Sequence, residues 1–460
     1  MSSMNDVHSD VATTSSAQQR PLSGFGIARA LGKNALLALP PQAFDEDFIT
    51  RRFLGRRQII LNRPAGIHHI LVEHTENYRR TRPTIRILRP LLGTGLLLSE
   101  GDDWKYQRRT LAPAFAARTI PMLAHHIAKA AATVISKLSV GDKRPVDLLA
   151  EMQFLALEIA GRSMFSVATE RYGAAMRRMI TTYAGHLGRP SLLDFLLPRT
   201  IPSPRDIARR RVRRRWVDLI GQIIAERTAI GPSSDLFDLL STARDPETGT
   251  GFSGEQLLDQ VATMIIAGHE TTAVALFWAL YLIAITPEVQ ERLAAEVENL
   301  DFSPEAAAEA LPKLIYTRAV VQETLRLYPP VFSVIRQARD ADSADGVEIP
   351  ADAIVMISPW VLHRHRRLWA RPEIFDPSRF LPGAQPPERF TYLPFGAGPR
   401  VCIGGQFALT EATLVLGSMV RAFQIERADN EPVTPFAMVT TQPDHPPLFW
   451  LHRRRGDASR

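Results

Sequence analysis

The chain has 460 residues, of which 45% are hydrophobic and 22% are charged, an ordinary globular composition that excludes a wholly disordered protein. Its formal net charge is +7. A single cysteine, Cys402, excludes an intrachain disulfide framework and fits a reducing compartment, so we expect a cytoplasmic protein.

The first twenty residues are polar and rich in Ser and Thr, without the apolar run of a signal peptide or a membrane anchor. We interpret residues 1–20 as a disordered tail. Residues 25–39 are mildly amphipathic but too short to span a bilayer, which leaves peripheral membrane contact open. Residues 21–460 are expected to form one domain, because the candidate site residues run from Trp104 to Cys402 and must converge.

The rest of the chain alternates helical patterns with a few short strands. Residues 57–61 and 353–358 are typical of strands, while 64–78 predicts a helix and 104–109 the start of another. The pattern from 120 to 184 is mostly helical, and Pro- and Gly-rich clusters mark the connections that follow it. The sequence therefore predicts a mainly α fold with small β-sheets.

Six arginines stand within residues 209–215, and such a run invites a nucleic-acid interpretation. We favour a solvated helix face, because no recognition fold or aromatic stacking motif accompanies the run. The positive charge of the whole chain instead suits the docking of an acidic protein.

The most apolar segment covers residues 261–285. Ser253 and Gln256 form a capping-box pattern before it, and a helix counted from Ser253 is about 45–50 Å long. A membrane span has a similar length. An acid at the bilayer centre costs about 2.5–3.5 kcal/mol, however, and Glu270 occupies that position. We therefore predict a buried core helix with a functional polar interruption.

Cys402 lies in Phe-Gly-Ala-Gly-Pro-Arg-Val-Cys-Ile-Gly, residues 395–404. Backbone N–H donors and a helix start help a thiolate stay deprotonated, and the apolar pattern of 405–423 predicts a buried helix just past the cysteine. A zinc site lacks a second cysteine, and a dinucleotide-binding loop lacks its third glycine because Val401 occupies that position. This setting indicates a metal ligand.

The segment resembles the haem-binding signature of the cytochrome P450 family, Phe-x-x-Gly-x-Arg-x-Cys-x-Gly, with every fixed position filled. The resemblance implies that Cys402 is the proximal iron ligand and that Phe395 packs beside it under the porphyrin. It implies that Arg400 pairs with a haem propionate. Gly398 and Gly404 are implied to let the backbone approach the ring and the sulfur closely.

The polar interruption of the long helix, residues 267–272, resembles the oxygen-binding groove in the central helix of the same family. Gly268 weakens the helix, and the Thr271 hydroxyl can turn toward the Ala267 carbonyl four residues back. By resemblance, Glu270 and Thr271 form the acid–alcohol pair that supplies protons while dioxygen is cleaved.

A third match concerns an ion pair that supports the fold. Glu323 and Arg326 stand one helical turn apart on one face, within Glu-Thr-Leu-Arg. Arg379 belongs to Phe-Asp-Pro-Ser-Arg-Phe further on. The resemblance implies that the three form a buried triad with a structural role, in which loss of one partner is strongly penalised.

Haem carboxylates need cationic partners, which arginine supplies with bidentate geometry. Trp104 and Arg108 match the Trp-x-x-x-Arg pattern of the family, and Arg336 occupies the strand position that supplies another clamp. With Arg400 these residues are implied to bind the haem. The histidine pairs, such as His68-His69, lack acidic or cysteine company nearby, so we favour a solvated or structural role for them.

The resemblance covers about residues 39–451 and identifies the chain as a member of the P450 superfamily, of a soluble bacterial type with a eukaryote-like motif set. It implies the P450 fold, with haem b between the long central helix and the cysteine loop. The implied activity is a haem-thiolate monooxygenase that inserts one oxygen atom of O2 into a lipophilic substrate by hydroxylation or epoxidation.

Because the resemblance uses nearly the whole chain, electrons from NAD(P)H are expected through a separate ferredoxin or flavodoxin with its reductase. We expect this partner to dock near Lys105, Arg108 and Arg109, with strong salt dependence. We also expect a monomer with no nucleic-acid partner and no transmembrane anchor.

Two alternatives remain open. A hydrogen-peroxide-driven peroxygenase is disfavoured by the Glu270–Thr271 pair. A non-enzymatic haem sensor or electron carrier is disfavoured by the proton-delivery groove and the lack of a fused output domain. The expected pocket contributors are mainly apolar and leave the substrate open. They are the loop 84–97, the helix segment 262–271, residues 331–335 and the turn 439–441.

Overall fold

The computed structural model describes residues 24–139, 144–166, 172–198, 200–233 and 235–454, so the predicted tail lies outside the described residues. The helices are α1 (Gly24–Lys33), α2 (Pro64–His68), α3 (Arg82–Leu92), α4 (Gly101–Leu111), α5 (Ile120–Ser139), α6 (Leu148–Phe165), α7 (Gly173–Thr182), α8 (Leu192–Leu196), α9 (Pro204–Ile230), α10 (Leu236–Thr242), α11 (Gly254–Ala284), α12 (Pro287–Val297), α13 (Ala307–Ala310), α14 (Ile315–Leu327), α15 (Pro359–Leu362) and α16 (Gly405–Ala422).

The strands form small sheets at the edges of this helical body. They are β1 (Phe48–Phe53), β2 (Arg56–Leu61), β3 (Tyr78–Arg79), β4 (Val146–Asp147), β5 (Val334–Ala338), β6 (Asp342–Ala344), β7 (Val347–Ile349), β8 (Ile354–Ile357), β9 (Phe423–Arg427), β10 (Pro435–Ala437), β11 (Thr441–Pro443) and β12 (Leu448–Arg453). One sheet has the order β1-β2-β8-β5-β3, and the others are β4-β12-β9, β6-β7 and β10-β11. The predicted mainly α fold with small sheets is confirmed.

Helix α11 is the axis of the core. It has 31 residues and begins at the predicted capping box, in which the Gln256 N–H donates to Ser253 Oγ and the Gln256 side chain accepts from the Ser253 N–H. Helices α6, α14 and α16 pack against it. Among the described helices it alone is long and apolar enough to cross a membrane, yet 72% of its most apolar window is buried inside the protein. This degree of burial matches the buried core helix that the sequence predicts.

Tertiary contacts break the helix predicted over residues 64–78. Helix α2 gives way to a π-helical turn, His69–Glu73, then to a 3₁₀ turn, and Tyr78 begins β3. The turn is fixed by a neighbour, because a side chain on Gly398 would lie only 1.9 Å from the Leu71 carbonyl oxygen. Tyr78 pairs with Ala338 of β5, which ends the helical run.

The expected loop at 84–97 is wrong for its first part, since residues up to Leu92 belong to α3. Thr81 caps this helix by accepting from the Thr84 N–H. Pro90 lies in the last turn of α3, beyond the first turn in which proline is usually tolerated. Helix α3 therefore continues through Pro90 and ends at Leu92.

The arginine run lies on α9 and is only partly solvated. Arg209 is buried and pairs with Asp194 at 2.6 Å and Asp206 at 3.0 Å. Arg213 pairs with Asp259 of α11 at 2.6 Å. The interpretation of a solvated face is therefore wrong for these two arginines, which hold α9 to its neighbours. The other four arginines of the run are exposed.

One buried acid of α16 stands apart from these ion pairs. Glu411 is 2% exposed, and its Oε1 has no hydrogen-bond partner among the described residues. Burial raises the pKa of this carboxyl well above its ordinary value. The folded protein therefore favours the protonated, uncharged form of Glu411.

We expect Glu411→Gln to flatten the pH dependence of thermal stability. With the folded pKa above the unfolded one, the stabilisation from protonated Glu411 is complete below the unfolded pKa and is lost as pH rises toward the folded pKa. The wild type should lose stability relative to the variant as pH rises from about 5, just above the ordinary pKa of a glutamate, into the neutral range. Thermal unfolding of the purified protein across this range checks the expectation. Glu298→Gln, a change at an exposed acid, is the control. Parallel stability curves for the wild type and Glu411→Gln would contradict the expectation.

Candidate active site

The cysteine loop places a thiol at the start of α16. The Cys402 N–H donates to the Phe395 carbonyl at 2.9 Å, and α16 begins at Gly405. Burial raises the pKa of the thiol, while a hydrogen bond from the Gly404 backbone and the charge of Arg108 oppose that rise. The residue is nonetheless exposed. A thiol enclosed by protein yet accessible lies on the wall of an internal space.

The middle of α11 forms a second accessible surface within the core. Ala267 is exposed, although the residues around it in this helix are mostly buried. The Thr271 hydroxyl donates to the Ala267 carbonyl at 2.6 Å, as the sequence predicts. The helix is continuous through Gly268. Ile265 of α11 shares a hydrophobic cluster with Ile403, which follows the cysteine, so both surfaces border one apolar region.

Glu270 turns away from Thr271 toward the β10–β11 hairpin. Its Oε1 accepts a hydrogen bond from the Thr440 hydroxyl at 2.8 Å and another from Gln442 Nε2 at 2.7 Å. Burial raises the pKa of Glu270, and these two hydrogen bonds oppose the rise. Gln442 was not foreseen from the sequence, because no local motif links it to an acid 172 positions away.

His269 stands beside Glu270 but is held apart from it. Its Nε2 lies 3.0 Å from the Gln153 carbonyl oxygen of α6. Burial lowers the pKa of His269 to about 4, so the ring is neutral near neutral pH. Of the two residues, only Glu270 has a raised pKa, which suits a proton donor.

Three guanidinium groups converge at another wall of the site. Burial and the charges of Arg336 and Arg400 lower the pKa of Arg80 to about 9. Arg80 and Arg400 both donate to the Ser99 carbonyl, at 3.5 and 3.0 Å, and Arg336 donates to the Ile335 carbonyl. Glu100 is the acid that acts on all three. Three cations with one nearby carboxylate form a site suited to a dianion.

Arg80 is absent from the predicted set, because it stands among other arginines without a distinguishing motif. Of the predicted residues, Trp104 lies under Arg400, with the guanidinium carbon 4.5 Å from the ring centroid. Arg108 lies close enough to the thiol of Cys402 for the two charges to interact. Phe395 packs against the start of α16, where a side chain on Gly405 would lie 3.3 Å from its ring.

Glu323, Arg326 and Arg379 come together between α14 and the 3₁₀ turn that carries Arg379. Arg326 donates from Nε and Nη2 to the two carboxylate oxygens of Glu323, at 2.7 and 2.8 Å, and both side chains are fully buried. Arg379 Nε lies 3.4 Å from Glu323 Oε1, and its side chain is 15% exposed. The third member is therefore a looser partner than the first two.

The surface proposed for partner docking is not a free basic patch. Lys105 pairs with Glu76 at 3.0 Å, and Arg109 pairs with Asp245 at 3.0 Å. Arg108 is directed toward the cysteine instead. Two of these three cations are thus paired with acids, and docking of an electron-transfer partner near them stays a prediction.

Comparison with known proteins gives one consistent result. The family model described as Cytochrome P450 matches residues 40–448. Cyclooctat-9-en-7-ol 5-monooxygenase of Streptomyces melanosporofaciens is 33% identical over 342 residues, which cover 73% of this chain and 74% of that protein. Cyclooctatin synthase of the same organism is 31% identical over 420 residues, 90% of each chain. Among solved structures, the cytochrome P450DA heme domain has a TM-score of 0.77 at 26% identity, covering 89% of this chain and 90% of that chain.

We expect Arg326→Ala to destabilise the protein by about 3–5 kcal/mol, because it leaves the Glu323 carboxylate buried without its partner. Arg379→Ala should cost less, since Arg379 is partly exposed and more distant from the acid. Thermal or urea unfolding of the three proteins checks this order. Equal losses for the two variants would contradict a fold held mainly by the Glu323–Arg326 pair.

Proposed function

Since this chain belongs to the cytochrome P450 family, we propose that it is a monooxygenase that inserts one oxygen atom of O2 into a lipophilic organic substrate, by hydroxylation or epoxidation. The observation that carries the proposal is the accessible Cys402 thiol in a wall of the apolar core, with a buried acid and an alcohol on α11.

The residues fit haem b, whose presence the family implies. Cys402 would bind the iron, and the three converging guanidinium groups of Arg80, Arg336 and Arg400 would neutralise its two propionates. Bound haem with a thiolate ligand supplies the activation of dioxygen and the cleavage of its O–O bond. The Trp104 ring would orient Arg400 by packing against its guanidinium group. A bound cation would also offset the burial that disfavours the Cys402 thiolate in the protein alone.

Glu270 and Thr271 would handle the protons that this reaction consumes. Burial lets Glu270 hold a proton more tightly than a solvated acid, and the hydrogen bonds from Thr440 and Gln442 keep its pKa from rising further. Thr271 keeps its hydroxyl on the Ala267 carbonyl, at the accessible surface of α11. The pair is thus one buried proton store and one accessible hydroxyl on adjacent residues.

The substrate class follows from the apolar lining. Ala262 and Ile265 belong to the same cluster as Ile403, and such a surface favours hydrocarbon over charged substrates. The name of one relative indicates action on cyclooctat-9-en-7-ol, so an unsaturated alcohol of this kind is a candidate. Screening lipophilic compounds for the haem spin-state shift that follows water displacement would identify the class.

Electrons would come from NAD(P)H through a separate ferredoxin or flavodoxin and its reductase. We place the protein in the cytoplasm as a monomer, with residues 21–460 as a single haem domain. Turnover with O2 and such partners, compared with turnover in hydrogen peroxide, distinguishes this function from a peroxygenase. Failure to oxidise any compound that shifts the spin state would favour a haem sensor or electron carrier.

We expect Cys402→Ser to lose the thiolate-type absorption band of the reduced, carbon monoxide-bound protein, because a serine hydroxyl is not a thiolate ligand. The neighbouring Val401→Ala change is a suitable control, since Val401 is exposed and not expected to bind the haem. Retention of the band in Cys402→Ser would show that another residue ligates the iron.

Gln442→Leu should raise the pKa of Glu270 further, because it removes a hydrogen bond that stabilises the charged form. The alkaline limb of the pH profile for O2-driven turnover should then move to higher pH, because Glu270 donates a proton only while it is protonated. Turnover driven by hydrogen peroxide, which brings its own protons, serves as the internal control and should keep its profile. An unchanged O2-driven profile would exclude a positioning role for Gln442.

A further inference from the structure

Three potential metal ligands meet on the surface beside the cysteine loop. His69 lies in the π-helical turn, His74 follows that turn, and Asp342 begins β6. One ligand atom from each lies within 4.8 Å of the others. We propose that these three residues bind a divalent transition metal, with zinc the best suited, at a site separate from the haem centre.

The distances suit a small tetrahedral ion. His69 Nε2 lies 3.0 Å from Asp342 Oδ2, and His74 Nδ1 lies 3.8 Å from the same oxygen. Ligands at about 2.0–2.1 Å from tetrahedral zinc are about 3.4 Å apart, which falls between these two values. His69 and Asp342 are partly buried and His74 is exposed, so an ion can enter and water can fill the fourth position.

Neighbouring polar groups also contact the ligand side chains. The other ring nitrogen of His69, Nδ1, lies 3.5 Å from the Glu73 carboxylate, and a small shift would let that carboxylate accept its hydrogen and direct Nε2 toward a metal. The Tyr78 hydroxyl donates to Asp342 Oδ2 at 2.8 Å, and the Ser343 N–H donates to Oδ1 at 2.8 Å. Hydrogen bonds of this kind orient the ligands of metal sites.

The two histidine rings give a further indication of how the site is arranged. Their centroids are 4.0 Å apart with an angle of 22° between the planes, so the rings stack, and binding one ion in the plane of both rings requires one imidazole to rotate out of the stack. Imidazole nitrogens with one carboxylate suit zinc, nickel and copper, and are poor ligands for magnesium or calcium. The alternative is a simple His–Asp hydrogen-bonded cluster without an ion.

A bound metal is expected to stabilise the structure around the cysteine loop. The π-helical turn that carries His69 packs directly on the loop of the thiol, with the Leu71 carbonyl against Gly398. Asp342 belongs to a different part of the chain, 273 positions from His69. A metal joining the two would fix this turn to β6 and so support the wall on which the Cys402 loop rests. This inference does not depend on the proposed reaction.

Calorimetric titration of the chelator-treated holoprotein with zinc chloride tests the proposal. We expect one zinc ion per chain and a thermal midpoint that rises with zinc concentration. His74→Ala and Asp342→Asn should each weaken binding at least tenfold and remove the thermal shift. His74 is half exposed, so its replacement should leave the fold intact. His452→Ala is the matched control, since the two side chains are 50% and 54% exposed.

The proposal would be overturned if the wild type and His74→Ala bound zinc with equal affinity. It would also be overturned if the wild type showed no stoichiometric binding above the level of the other surface histidines. Binding of magnesium but not zinc would overturn it as well. Haem content, measured from the Soret absorbance of each variant, separates loss of the zinc site from loss of the haem site. Because the readouts are heat and thermal midpoint, they remain informative even if the proposed oxidation fails.

Discussion

The buried guanidinium of Arg326 is the interaction on which the site depends. All five of its N–H donors are used: Nε and one of Nη2 go to Glu323, and the other three go to the carbonyls of His363, Pro372 and Ile374. These carbonyls belong to irregular backbone, which has no helix or sheet partners of its own. One cation therefore satisfies the polar groups of a loop that would otherwise be costly to bury.

His363 links the buried Arg326 to the loop that carries the Cys402 thiol. Burial lowers the pKa of His363 to about 3, so the ring is neutral, and its Nε2 accepts from the Leu393 N–H at 2.8 Å. Its Nδ1 must then carry the hydrogen, which it donates to the Arg326 carbonyl at 3.2 Å. Leu393 in turn accepts from the Gly396 N–H, and Phe395 accepts from the Cys402 N–H. A continuous series of hydrogen bonds thus joins the ion pair to the ligand position.

Periodicity and caps predicted what is local. The span of α11, the start of α16 just past Cys402 and the hydrogen bond from Thr271 to Ala267 all depend on residues within a few positions of one another. Long-range partners could not be predicted in this way. Gln442 on Glu270, Arg80 beside Arg400 and Asp342 beside His69 are brought together only by the fold. The solvated interpretation of Arg209 failed partly for the same reason, since Asp194 lies on another helix, α8.

The charges of the site indicate that cofactor binding and stability are linked. Arg80, Arg336 and Arg400 oppose one another in a partly buried region, and Glu100 alone offsets them. A dianion at this point would remove the repulsion, while a cation at Cys402 would stabilise the thiolate that burial disfavours. The protein thus presents unmet positive charge at one place and a thiol that needs a cation at another. A single group carrying two carboxylates and a metal ion satisfies both, so its binding energy adds directly to the stability of the fold.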